Sequence, residues 1–175
     1  LKEAYDSKRT TGSWDLPKLI QRRGVSGRTF KPMGQWAYGV QSVLNGYGIT
    51  PYVENSPEVK EALFSSAIVN LKKSSGKKST GKKNLQSYVE EDWPLIYDQI
   101  KTISPRIIIC GKTWSHISKK LPNKIKLTDS AYVCDGIIFI NFWHPSNRSA
   151  NLMSYYSLCA IAQMAVEKLD TVEAT

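Results

Sequence analysis

Residues able to do chemistry are sparse in this chain, and two of them stand where apolar runs stop. His144-Pro145-Ser146 follows directly on "GIIFINFW", Gly136 to Trp143, and Asn70 follows Ala67-Ile68-Val69. A histidine in such a place can donate a hydrogen bond, or carry charge, where negative charge develops. An asparagine amide holds a donor and an acceptor side by side and can make two matched hydrogen bonds to the edge of a base. Cations stand beside both. Arg148 lies just past His144, and "LKKSSGKKSTGKK", Leu71 to Lys83, holds six lysines and no acid. A base-reading edge flanked by phosphate-binding groups is one coherent arrangement of these residues. Ordinary turn chemistry is the other: Asn is a common turn residue, His-Pro-Ser can simply lead into a helix capped by Ser146 or Ser149, and lysine runs are usually solvated loops.

The elements that must position these groups are legible as alternating apolar runs and helical stripes. Leu1 to Gly27 is rich in Lys, Arg, Gly, Ser and Thr and reads as loop, with a short helix around Pro17–Arg22. Trp36, Val40, Val43 and Leu44 recur at helical spacing, with Gly46 and Gly48 as stop signals. Ser56-Pro57-Glu58 starts another helix: a capping hydroxyl, a proline whose missing N–H costs nothing there, and an acid near the positive helix end. Ala67-Ile68-Val69 reads as a short strand, and residues 72–84 as a mobile lysine-rich loop. Helical spacing resumes at Leu85 through Tyr88, Val89, Ile96 and Ile100, with a break expected at Asp92-Trp93-Pro94 and a stop at Ser104-Pro105. Ile107 to Ile109 is a strand closed by Gly111, followed by a short helix over about Thr113 to Lys120. Ile137 to Ile140 is a strand, and Leu152, Tyr155, Cys159, Ala162, Val166 and Leu169 form one stripe of a final helix over about Ala150 to Leu169.

Near-continuous apolar strands alternating with helices predict an α/β fold in three layers, α/β/α, around a short parallel sheet of about four strands. In such a sheet all carboxyl ends share one edge, and ligands bind there.

The 175 residues suit a single domain with one sizeable core. Hydrophobic residues make up 41% and charged residues 22%, ordinary for a globular protein. No apolar run is long enough to span a bilayer and no signal-peptide pattern opens the chain, so no membrane contact and no secretion are expected. The first residue is Leu1, so upstream sequence is expected. Lysine plus arginine number 24 against 15 acids, a formal charge of +9 that favours a polyanionic partner. Cys110, Cys134 and Cys159 are odd in number and lack metal-site spacing, which predicts buried free thiols and no metal.

Three segments together resemble the uracil-DNA glycosylase superfamily. "HPSNRS", His144 to Ser149, is similar to its His-Pro-Ser-Pro-Leu-Ser motif before the last helix. "AIVNLKK" resembles the short strand ending in an Asn that reads a pyrimidine edge. "SPRIIICGKTW" resembles the strand–Gly–helix unit between those motifs. Order and rough spacing agree over about Ser65 to Leu169. In the N-terminal part, Glu3-Ala4-Tyr5 shares features with two forms of the first motif, and "GRTF" ends in Phe30 where a Gly-x-x-Phe supplies a stacking aromatic. The strand that should precede the first motif is expected to be cut short at Leu1. Arg148 stands where one branch carries a leucine wedge.

The resemblance implies a DNA glycosylase-like activity on uracil or another altered base, with double- or single-stranded DNA as partner, no cofactor and no metal. It implies that His144 stabilises the departing base, that Glu3 handles the attacking water, and that Asn70, Phe30 and Tyr5 form the base pocket. Ser146, Arg148, Ser149, Lys72, Lys73, Lys77 and Lys78 would contact the DNA. The protein is expected to act as a monomer in the cytoplasm, or in the nucleus of a nucleated cell. The rival expectation is a catalytically silent relative that binds nucleic acid or a modified base as a sensor.

Overall fold

A computed structural model describes Val25, residues 27–72 and residues 82–173, with the backbone alone at 82–84, 172 and 173. Glu3, Tyr5, Lys73, Lys77, Lys78 and the Pro17–Arg22 segment lie outside the described residues. In chain order the elements are α1 (Gly27–Leu44), α2 (Pro57–Phe64), α3 (Lys82–Ile103), β1 (Ile107–Gly111), α4 (Trp114–Ile117, prolonged by a 3₁₀ turn over Ser118–Lys120), β2 (Ile125–Lys126), β3 (Ala131–Cys134), β4 (Ile137–Phe142) and α5 (Asn151–Glu173).

The sheet runs β1-β4-β3-β2. Only β1 and β4 are parallel, in a register that sets Ile107 opposite Ile138 and Gly111 opposite Phe142. The β4–β3 and β3–β2 pairs are antiparallel, so the sheet is mixed and not parallel throughout. The cause is a hairpin at Asp135-Gly136, where both residues have positive φ, 50° and 74°. That is the pairing a tight two-residue hairpin turn requires.

Alternation along the strands sorts the core onto two faces. Ile138, Ile140 and Phe142 of β4, with Ile107 and Ile109 of β1, meet Trp36, Val40 and Val43 of α1 and Leu158, Ala162 and Ala165 of α5. Phe139 and Ile137, with Cys110 and Ile108, meet Val89 of α3 and Trp114 and Ile117 of α4. Helices therefore cover both faces. A third cluster, Val25, Val59 and Leu63, joins α1 to α2 and takes in Phe30 and Met33.

Three expectations fail locally. Residues 67–69 form no strand; Ala67 and Ile68 are exposed, and three residues without a face to bury gain too little to order as one. The loop expected over 72–84 gives way to helix at Lys82. No break occurs at Pro94, which lies inside α3. Val89, Ile96 and Ile100 are all buried along one stripe, and this packing outweighs the roughly 3 kcal/mol that a mid-helix proline costs.

Ser56 caps α2 as its spacing suggests, accepting from the Val59 N–H at 3.3 Å. All three cysteines are free and buried. Burial pushes the Cys110 thiol up to about 12 and Cys159 to about 11. Among the described residues no helix is long and apolar enough to cross a membrane, and no group of three metal-ligating side chains assembles.

Candidate functional site

Because β1 and β4 run parallel, their carboxyl ends lie side by side, and the chain leaves β4 directly into Trp143 and His144. His144 to Asn147 is a β-turn closed by the Asn147 N–H donating to the His144 carbonyl at 2.8 Å. Pro145 holds the second position, where its fixed φ fits the turn. The His144 ring bonds back to the same turn. Its Nδ1 accepts from the Ser146 N–H at 3.2 Å and lies 2.7 Å from Ser146 Oγ. A backbone N–H can only donate, so Nδ1 carries no proton and the neutral ring holds its hydrogen on Nε2. Nε2–H is thus the outward donor of this histidine. The next residues are tied equally locally: the Arg148 N–H donates to Asn147 Oδ1 at 2.8 Å, and Asn147 Nδ2 donates to Ser149 Oγ at 3.0 Å.

The end of β1 presses against this turn. A Cβ on Gly111 would sit 3.2 Å from Pro145 Cδ and 3.8 Å from His144 Cα, so the glycine permits the approach. Lys112 follows in a left-handed conformation, φ 60°, and its N–H donates to the Phe142 carbonyl at 2.7 Å. Lys112 and Trp143 therefore belong to the same edge, and neither was singled out from sequence. Two signals for them were present: an exposed-type residue just past the strand glycine, and an aromatic next to the histidine.

His144, Ser146 and Arg148 are exposed, and Ser149 is half-buried. Among the described residues nothing encloses His144, which is open to solvent. Asn70 is exposed too, in the irregular stretch between α2 and α3, so it does not close a strand. Its neighbour Leu71 packs onto the cluster that contains Cys110. No hydrogen bond among the described residues joins Asn70 to the His144 turn. Lys72 is half-buried, its ammonium 4.6 Å from the centre of the Tyr88 ring. Phe30 lies in the first turns of α1, its ring in the Val25–Val59–Leu63 cluster.

A depression of about 460 Å³ lies elsewhere, between the β2–β3 turn (Lys126 to Ser130) and Ile161 and Met164 of α5. Its polar groups are largely satisfied: Lys126 Nζ donates to Asp129 Oδ1 at 2.8 Å, and Thr128 Oγ1 accepts from the Ser130 N–H at 3.2 Å. It offers no group poised for chemistry.

Comparison with protein-family models, with curated proteins and with solved structures returns no match to this chain.

Proposed function

We propose that the protein is DNA glycosylase-like and hydrolyses the N-glycosidic bond of uracil or another altered base turned out of DNA. The single observation that carries this reading is the His144 turn. An imidazole stands at the carboxyl edge of the parallel pair with Nδ1 engaged by its own turn, and its Nε2 has no partner among the described residues. In the reaction the bond from the sugar carbon to the base nitrogen breaks, and the bond's electron pair leaves with the base. Water adds to the sugar carbon, and the proton it gives up ends on the departed base, which leaves as the neutral free base. A donor preset at the departing base is worth about 3–4 kcal/mol of barrier when such groups are removed one at a time. The base must be rotated out of the stack to be reached. Asn70 would test its edge, and Glu3, by the resemblance, would orient the water. The +9 charge supplies the attraction to the phosphate chain.

A second reading is favoured by the exposure of His144. A charge-stabilising donor is far weaker in contact with water, which suits a module that binds nucleic acid without cutting it. One experiment separates the two. Oligonucleotides, each carrying one altered base, are incubated with the protein and scored for abasic sites on a gel, alongside binding by His144→Ala. Abasic product lost in the variant supports the enzyme. Binding without product, weakened in the variant, supports the module. No product and no effect of His144→Ala on binding refutes the site.

A further inference from the structure

Trp143 is 47% exposed, whereas Trp36 is 3% and Trp114 9% exposed. About half of this large residue's surface is thus left in water next in sequence to His144, against the usual tendency to bury it. The ring does not dangle. It packs against Phe142 with centroids 5.4 Å apart, and Phe142 in turn meets Trp36 edge-on at 5.2 Å in the core. Its backbone is tied to the end of β1 through the preceding residue, whose carbonyl accepts from the Lys112 N–H at 2.7 Å, and it runs close to Gly111. Lys112 is exposed, makes no ion pair among the described residues, and holds a left-handed backbone that costs a non-glycine residue about 1 kcal/mol or more. Arg148, the residue that follows the His144–Asn147 turn, is exposed as well.

From this we propose that Trp143 and Lys112 form a stacking-and-phosphate seat for a nucleotide next to the one at His144, and that the substrate is unpaired strand. The proposal rests on the nucleic-acid reading above and narrows it. A fixed aromatic face with cations around it is how proteins hold single-stranded nucleic acid, because each base has a free π-face and the phosphates follow the cations. In a duplex those faces are already stacked, and the indole gains nothing until a base pair opens.

The test is fluorescence anisotropy of a labelled oligonucleotide of about 15 nucleotides, a length that covers one such site, single-stranded and as a duplex, with wild type, Trp143→Ala, Trp143→Phe and Lys112→Ala. Wild type should bind the single strand more tightly. Trp143→Ala should weaken that binding roughly 5- to 150-fold, the loss of one base–aromatic stack, and Trp143→Phe should recover most of it. Lys112→Ala should lower the slope of log affinity against log salt by about 1. Unchanged single-strand affinity in Trp143→Ala, or tighter duplex binding by wild type, overturns the proposal while leaving the nucleic-acid reading standing. If wild type binds neither form, that reading falls with it.

Discussion

Helix α5 begins eight positions after Trp143 and is anchored to α1 at one very close crossing, which makes the crossing a test of how the site is held. A Cβ built on Gly39 would lie 2.4 Å from Cys159 Sγ and 2.6 Å from Tyr155 Cε2. Ordinary contacts between such atoms are about 3.5–4.0 Å, so Gly39→Ala drives a methyl about an ångström or more into two side chains. Both are completely buried and have nowhere to go. Overpacking of this kind costs about 1–3 kcal/mol. The upper end applies because two neighbours are struck at once. Replacing a mid-helix glycine returns roughly 0.5–1 kcal/mol of backbone entropy. The net expectation is a loss of about 2 kcal/mol, read as a drop of about 4–8 °C in Tm for a chain of this size. The assay is urea unfolding followed by circular dichroism. The midpoint should fall with unchanged slope, since the surface exposed on unfolding is the same. Adding Cys159→Ala removes the atom most severely overlapped, so the double variant should be more stable than the sum of the single losses, by about 1 kcal/mol. A Gly39→Ala protein as stable as wild type, or strictly additive effects, would refute the account of this crossing.

Gly111→Ala asks Pro145 to yield by a few tenths of an ångström; we expect a stability loss within about 1 kcal/mol but a clear fall in abasic-site formation or DNA affinity, measured side by side. Ser146→Ala removes the hydroxyl from His144 Nδ1 and leaves the backbone N–H in place; with about 0.5–1.5 kcal/mol of orientation lost, rate or affinity should fall several-fold, well short of the effect of His144→Ala. Cys110, Cys134 and Cys159 should resist alkylation in the native protein and react fully only in denaturant, a contrast read by mass spectrometry. Burial raises Cys110 and Tyr155 to about 12 and Cys159 to about 11. The folded state therefore keeps protons that the unfolded chain has lost, and stability, whole below about pH 9 where the unfolded thiols begin to ionise, should decline as pH climbs toward 12, checked by urea midpoints across that range.

Much of this fold was legible because the relevant signals are local and repeated. Ile107 to Ile109 and Ile137 to Ile140 are unbroken apolar runs, and α5 carries its stripe over about four turns from Tyr155 to Leu169, Leu152 at its start being exposed. The Ser56-Pro57 start is a cap whose chemistry is complete within four residues. The misses have equally concrete causes. Proline at 94 argues locally for a break, but burial on both sides of it decides otherwise. The Asp135-Gly136 turn is a readable hairpin signal, but the strand before it, Ala131–Cys134, is only four residues long and follows a polar stretch (Lys126, Thr128, Ser130), so no alternating run marks it. With that hairpin overlooked, the sheet reads as parallel. Of the site, the His144 turn is local and was visible. Whether Asn70 reaches it is a tertiary matter that no spacing in the chain can encode. Lys112 earns its place only through the strand pairing that sets Gly111 opposite Phe142.

The imidazole of His144 is aimed by bonds that begin and end within its own tetrapeptide. Its bearing therefore travels with those four residues, and grafting them after a strand of an unrelated protein should carry the same donor direction along. What such a graft would lack is everything that decides whether the donor meets a substrate, and the difference between the two proteins would isolate the contribution of the surrounding sheet edge.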